Sequence, residues 1–277
     1  MLLVRRTFLN FPSSGGGQAV HIRFEQRVSD RSHHLASLLF NREHRDYMKA
    51  AAKKVTARLV RYAYHMLPIM GSDGYDIGEL IKLKAAMDTA DYCIQHMPRV
   101  RTFSSAFDLL TSALKQASDT GLFLEFGVAS GATINHISSR ITGTVHGFDS
   151  FEGLPEDWRT GFEKGCFAQK IPKVNLNVEL HVGFFDKTLP EFVKANQHKI
   201  AFLHVDCDLY SSTKEIFSHL GDYIVPGTVI VFDEYFNHPT WRQDEWLAFQ
   251  EFVRDKRLNY NYIGYVPSYQ QAAIVIR

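Results

Sequence analysis

Four acidic residues fall at the ends of two apolar runs. "IAFLHVDCD" (Ile200 to Asp208) closes on Asp206 and Asp208, and "GTVIVFDEY" (Gly227 to Tyr235) carries Asp233 and Glu234. Charge at the tip of a strand bound for a core needs a reason. If one helix joins the two runs, they are adjacent parallel strands whose carboxyl ends share one ledge. Carboxylates that close repel one another and hold protons unless a cation neutralises them. Oxygen ligands at a partly open position suit Mg²⁺ or a similar hard cation. In an extended stretch Asp206 and Asp208 point to one side and Cys207 to the other, which makes Cys207 a spacer. His204 shares the Asp206 face and reads as a core histidine. His238, with Tyr235 and Asn237, is better placed to meet a substrate. Trp158 and Trp241 either line a pocket or anchor a loop.

Three further stretches carry candidate chemistry. In "LEFGVASGAT", Glu125 ends a strand, and Gly127 and Gly131 sit in the turn before a helix. Glycine lets backbone approach a ligand, and a helix start offers unpaired N–H groups. The spacing is not that of a dinucleotide GxGxxG turn, and the pattern is weak alone. In "HGFDSFEGLPEDW", Asp149 falls at a strand end, where an acid can accept from both hydroxyls of a ribose. Phe148 and Phe151 fit either a core or the flank of an adenine. In "VGFFDKTLP", Gly183 leaves room, Phe184 or Phe185 could pack on a base, and Asp186 fits a helix cap.

The elements that must position these residues alternate. Short apolar runs begin at "LFLEFGV", "TVHGFDS", "VELHVGFF", "IAFLHVDCD" and "GTVIVFDEY". The stretches "ATINHISSRI", "LPEFVKANQ", "STKEIFSHLGDYI" and "QDEWLAFQEFVRDK" read as helices. Such alternation implies a parallel sheet covered on both faces. "YNYIGYV" and "QQAAIVIR" are joined by a short link near Pro267, so they close the sheet as an antiparallel pair. The expected fold is a doubly wound, Rossmann-like α/β sheet with an antiparallel tail, binding its ligand beyond the strand carboxyl ends. Before it, periodicity predicts helices over Arg45 to Met66, Ile77 to Met97, and from Ser105, where Ser105 and Asp108 form a capping box. The predicted inward stripes are Leu80, Leu83, Met87, Ala90 and Ile94 on the second helix, and Phe107, Leu110, Leu114 and Ala117 on the third.

Here the phrases become specific. "EFGVASGAT", "GFDSFEGLPEDW", "HVDCDLYSST" and "VIVFDEYFN", in this order, resemble the macrocin O-methyltransferase (TylF-like) family of class I S-adenosylmethionine (SAM) methyltransferases. The resemblance covers Gly121 to Arg277. It implies a seven-stranded sheet with SAM at the Gly127–Gly131 turn and its ribose on Asp149, and a cofactor site including Glu125, Ser150, Phe184 and Asp206. It also implies Mg²⁺ on Asp206, Asp233 and the neighbouring Glu234, with Asp208 as the base. The family often has two aspartates where this chain has Asp233 and Glu234, so the longer Glu234 can meet the ion differently. The reaction implied is O-methylation of a sugar or phenolic hydroxyl on a small molecule. Two alternatives stand beside it: an NAD-dependent oxidoreductase, which leaves the four acids unexplained, and a non-catalytic SAM-binding or interaction protein.

The whole chain agrees with a globular enzyme. Of 277 residues, 45% are hydrophobic and 22% charged, which excludes a disordered chain. Net charge is +1, but residues 1–70 carry 12 Lys and Arg against 4 Asp and Glu. That basic N-terminal region, with a Ser/Gly linker at Phe11 to Gln18, is expected as an arm ahead of a methyltransferase domain over 71–277. It lacks the aromatic interleaving of a nucleic-acid groove, and no run is long enough to span a membrane. Cys93, Cys166 and Cys207 are widely spaced, as in a reducing compartment. A cytoplasmic protein with no nucleic-acid or membrane partner is therefore expected, with the amphipathic N-terminal helices offering a homodimer face.

Overall fold

The computed structural model describes residues 74–277, together with Lys53. The linker and basic arm lie outside the described residues, as do the boundary at residue 70 and, Lys53 apart, the helix expected over Arg45 to Met66.

Seven short apolar runs pair into one sheet. They are β1 (Leu122–Phe126), β2 (Val145–Asp149), β3 (Val178–Val182), β4 (Ile200–Val205), β5 (Val229–Phe232), β6 (Tyr260–Tyr265) and β7 (Ala272–Ile276). Their order across the sheet is β3-β2-β1-β4-β5-β7-β6. β1 to β5 run parallel, and β7 pairs antiparallel with both β5 and β6. The expected doubly wound sheet with an antiparallel tail is thus the observed fold. Every residue of β4, β5 and β7 is buried, as continuous Val, Ile, Leu and Phe runs require when both faces are covered. Phe126, Phe148, Leu203 and Phe232 lie in the core on one face, and Phe123, Phe202, Val229 and Val231 in the core on the other.

The helices are α1 (Ile77–His96), α2 (Ala106–Leu114), α3 (Ala132–Ser138), α4 (Phe185–Ala195), α5 (Tyr210–Leu220) and α6 (Glu245–Asp255). Asp76 caps α1 by accepting from the Glu79 N–H at 3.0 Å. The predicted box at α2 forms, because Ser105 Oγ accepts from the Asp108 N–H at 3.1 Å and donates to its carboxylate at 2.8 Å. None of the described helices is long and apolar enough to cross a membrane.

The stripe expected on α1 is corrected, whereas that on α2 holds at Leu110, Leu114 and Ala117 and fails only at Phe107. On α1 the buried residues are Ala85, Thr89 and Tyr92, whereas Leu83, Met87 and Ile94 are exposed. Tyr92 decides the rotation. Its ring packs edge-on against Trp241, Trp246 and Tyr262, and its hydroxyl bonds Tyr262 and the Trp246 indole. A large aromatic with a satisfied polar tip outweighs scattered aliphatics. On α2 the buried trio is Leu109, Leu110 and Ala113, and Phe107 is exposed. α4 starts four residues earlier than "LPEFVKANQ" suggests and holds Pro190 in its interior. Proline there removes a helical N–H, yet burial of Leu189 and Phe192 from the same helix anchors it to the sheet.

The central strand β4 should dominate stability. Leu203→Ala empties a fully buried position and is expected to cost about 2–5 kcal/mol in urea unfolding. A loss well under 1 kcal/mol would mean this core is not the cooperative unit.

Candidate functional site

The strand order reverses between β1 and β4, so the loops that follow their carboxyl ends diverge and leave a crevice. Three backbone bonds carry the ladders one residue past the strands. Asp206 N–H donates to the Phe126 carbonyl at 2.8 Å, Gly127 N–H to Phe148 at 2.9 Å, and Asp233 N–H to Val205 at 2.9 Å. They draw Gly127, Asp206 and Asp233 to one rim. A Cβ on Gly127 (φ +89°) would overlap the Asp206 carbonyl oxygen. This glycine therefore answers first to the close approach of two strands, before any ligand. Gly131, also at positive φ, is the N-cap of α3.

Asp149, at the end of β2, ties the turn shut. Its Oδ2 accepts from the Val128 and Ala129 N–H groups at 2.9 and 2.8 Å, and its Oδ1 from Phe151 N–H at 2.7 Å. Ser150 Oγ accepts from the Glu152 N–H at 3.1 Å. Both residues face the crevice.

The acidic ledge differs in detail from the extended picture. β4 ends at Val205, and Asp208 takes a left-handed backbone (φ +66°). Strand alternation therefore does not govern Asp206 to Asp208, and Cys207 is not displayed on an opposite strand face. Its side chain is buried against Thr213 (Sγ to Oγ1 3.4 Å). Burial and the nearby Asp233 and Asp208 charges hold the Asp206 carboxyl well above the usual carboxylate range. Burial, with Asp233 and Asp206, does the same to Glu234. Asp208 is pushed up to about 7 by burial; the Arg159 guanidinium works against that shift, while Asp233 and Asp244 add to it. Arg159 stacks on Trp158, 3.8 Å from the ring centre.

His204 and Glu125 are fully buried behind the ledge. His204 Nδ1 lies 3.1 Å from Glu125 Oε2, and Thr133 Oγ1 donates to the other Glu125 oxygen at 2.9 Å. Burial raises Glu125, partly offset by His204. Burial alone would lower His204, but its bond to Glu125 and the Glu125 and Asp233 charges outweigh that and raise it. Both directions keep a proton between the two. With Nδ1 turned to Glu125, His204 Nε2 has no hydrogen-bond partner and stands 4.0 Å from Asp233 Oδ1. Donor atoms of His204, Asp206 and Asp233 lie within 4.8 Å of one another. A buried unpaired nitrogen facing two carboxylates fits a divalent cation, with a carboxylate–histidine pair orienting the ligand. The expected set was Asp206, Asp233 and Glu234. Glu234 stands outside this trio, and its Oε2 is buried without a partner.

Glu245, the first residue of α6, was not anticipated. Its Oε1 accepts from the Cys207 N–H at 3.4 Å and its Oε2 from the Glu234 N–H at 3.1 Å. One carboxylate thus bridges the two acidic strand ends from behind. An acid opening a helix, "QDEW", signals only an ordinary cap, so its task could not be read from sequence.

The crevice is a cavity of about 570 Å³ bordered by Gly127, Asp149, Ser150, Phe184, Asp206, Asp208 and Glu234. Ser211, Ser212 and Glu215 from α5 also line it, with Leu154, Pro155 and Phe167 from the loop after β2. Of these the serines sat in "DLYSST" and Leu154 and Pro155 in "GFDSFEGLPEDW", but neither motif marked them as wall residues. Glu125 and Gly131 do not border the cavity: Glu125 is spent on Thr133 and His204, and Gly131 on the helix start. Tyr235 is fully buried with its hydroxyl on Tyr262 at 2.6 Å. His238 is buried with Nε2 3.1 Å from the Glu234 carbonyl, and burial lowers it to about 4. Asn237 is spent on Thr89 and the Tyr269 carbonyl. None of these three borders the cavity. Trp158 and Trp241 pack as anchors.

Residues 124–235 match the family described as "Methyltransferase domain". Among solved structures the chain is similar to CalS11, described as a calicheamicin methyltransferase: 22% identity, TM-score 0.51, covering 61% of this chain and 77% of that one. It is also similar to the O-methyltransferase NovP (18%, TM-score 0.47, 61% and 78%). A third is the O-methyltransferase TomG from Streptomyces achromogenes, solved with SAM (16%, TM-score 0.41, 78% and 93%). No curated protein matches. At 22% identity CalS11 speaks for the fold, and the segment matched by the family spans the glycine turn, Asp149 and the whole acidic ledge. Residues 124–235 thus match a methyltransferase domain, on a chain with the class I methyltransferase fold.

Proposed function

We propose that this protein is a SAM-dependent O-methyltransferase acting, with a divalent cation, on a hydroxyl of a small molecule. The observation that carries the reading is the desolvated ledge of Asp206, Asp208 and Glu234 on the wall of the crevice, beside Asp233 and the unpaired His204 nitrogen. Its volume falls in the range of pockets that enclose small ligands, about 300–1,000 Å³. Its lining mixes carboxylates with Phe184, Leu154 and Pro155, which suits a ligand with a polar ribose and an apolar base.

Bound SAM supplies an electrophilic methyl group, and the chain must hold an acceptor oxygen in line with it. Asp149 and Ser150 are placed for the ribose hydroxyls, and Phe184 for the base. A cation held by Asp206, Asp233 and His204, or with Glu234 in place of the histidine, would lower the pKa of an acceptor hydroxyl. Asp208 is the group that takes the proton. Burial raises its carboxyl, which makes it a stronger proton acceptor than an exposed aspartate. Glu245 fixes the backbone of both acidic ends, and the burial of the ledge limits water. A sugar or phenolic hydroxyl with an adjacent oxygen would chelate the ion, in keeping with the resemblance to the macrocin O-methyltransferase family. Against an oxidoreductase stands the methyltransferase match; against a non-catalytic binder stands the desolvated acid cluster, costly without a task.

Calorimetric titration is expected to show binding of SAM and none of NAD. Phe184→Ala should weaken SAM by about 1–3 kcal/mol, the usual worth of an aromatic on a base; unchanged affinity removes Phe184 from the site. With a methyl acceptor in hand, the rate should fall as acid protonates Asp208, and Asp208→Asn should lose both the acid limb and most turnover. Full turnover in that variant ends the base assignment.

The carboxyls of Asp206, Asp208 and Glu234 titrate higher in the folded chain than in the unfolded one. Their contribution to stability is therefore present below the unfolded value and lost as pH rises through the folded ones. The metal-free protein should lose thermal stability between pH 5 and pH 8, and Mg²⁺ or Mn²⁺ should raise Tm more at pH 8. An equal or larger gain at pH 5 contradicts a cation on the ledge.

A further inference from the structure

A second group of metal-ligating side chains lies away from the crevice, on the paired strands β2 and β3. His146 and Glu179 are register partners, and His181 stands opposite Phe148 two residues further along. Side chains two apart on a strand share a face, so the three converge. His146 Nδ1 is 3.1 Å from His181 Nε2 and 3.6 Å from Glu179 Oε2, and His181 Nε2 is 4.0 Å from Glu179 Oε1. Ligand atoms bound tetrahedrally at about 2.0–2.1 Å from Zn²⁺ lie roughly 3.3 Å from one another. The observed triangle is close to one face of such a tetrahedron, slightly open on the carboxylate side.

The rings are held in place before any ion arrives. His181 stacks on Phe148 with centres 4.5 Å apart, and both imidazoles meet the Phe192 ring at 5.0 Å. The side chains of His146 and His181 are 11% and 20% exposed, whereas Glu179 is 61% exposed. An ion could therefore enter from the Glu179 side and reach two desolvated nitrogens. Burial lowers both histidines, which leaves their lone pairs free for a metal rather than a proton.

We propose that His146, His181 and Glu179 form a Zn²⁺ site, separate from the acidic ledge, that clamps the edge strand β3 to β2. Two imidazoles and one carboxylate favour Zn²⁺ or a similar borderline ion over Mg²⁺. Three protein ligands leave a fourth position for water. β3 is an outer strand of the sheet, where its free edge needs restraint, and it leads through Gly183 into Phe184 on the crevice wall.

The test is titration of the full, metal-stripped chain with Zn²⁺, and with Co²⁺ for its visible absorption. Wild type should bind one more ion than His146→Gln/His181→Gln. Glu179→Gln should weaken that ion by at least the ~10-fold that loss of even a supporting partner costs. Asp206→Asn/Asp233→Asn should retain it, which separates this site from the ledge. Other histidines of the chain contribute alike to all these proteins and cancel in the comparison. Matching isotherms for wild type and the double histidine variant would leave a simple imidazole–imidazole hydrogen bond and overturn the proposal. Loss of the ion in the Asp206/Asp233 variant alone would also overturn it. Should the histidine variant not fold, Glu179→Ala at an exposed position decides between the same outcomes.

Discussion

The mutual repulsion of buried carboxylates at the tips of β4 and β5 is the constraint that organises this molecule. Two like charges 4 Å apart repel by about 4 kcal/mol at an effective dielectric of 20. Here Asp206, Asp208 and Glu234 sit half-buried beside Asp233 on the crevice wall. Protons relieve part of that strain, as the raised values of the three show. The rest of the surroundings is arranged around it. Glu245 turns its own two oxygens to backbone N–H groups at Cys207 and Glu234. The proton shared by Glu125 and His204 keeps that pair from adding a second bare charge. Arg159 brings positive charge to the rim.

Backbone geometry follows the same demand. Ala129, Phe151, Asp208 and Asn237 all have positive φ, and each lies just beyond the carboxyl end of a parallel strand, after β1, β2, β4 and β5. Non-glycine residues in that region cost of order 1–3 kcal/mol each and persist where surroundings over-determine them. The Asp149 carboxylate, accepting three backbone N–H bonds, supplies that over-determination for the first two loops. Glu245 does so for Asp208, through the Cys207 N–H. The outcome is a set of loops that turn sharply away from the sheet and leave the crevice open between them. The edge pair β2 and β3 carries its own polar cluster, so the sheet is tied at its rim as well as at its centre.

The fold was legible because its signal is local. Continuous apolar strands separated by helices have few arrangements, and right-handed crossovers prune them to a handful. The acidic tips, the glycine turn and Asp149 were legible too, because charge or glycine at the end of an apolar run is anomalous. The inward face of α1 was not. Tyr92 is one residue among many aliphatics on α1, and only Trp241, Trp246 and Tyr262, brought from 149, 154 and 170 residues away, make its face the buried one. The same holds for His238 and Tyr235, whose position beside the ledge in sequence said nothing of their burial beneath it.

The sequence by itself determined the order of strands and helices, the class of fold, and which acids would end β4 and β5. Periodicity and the incompatibility of charge with a core suffice for that. Tertiary structure alone decided which donors face one another. Asp208 turns out of the strand, so alternation does not aim it. Glu234 parts from Asp206 and Asp233 while His204, from within the strand, joins them. Glu125 and Glu245, distant in sequence, become the supports. Such choices depend on atom positions to within an ångström, set by packing across the sheet, and no spacing along one chain encodes them.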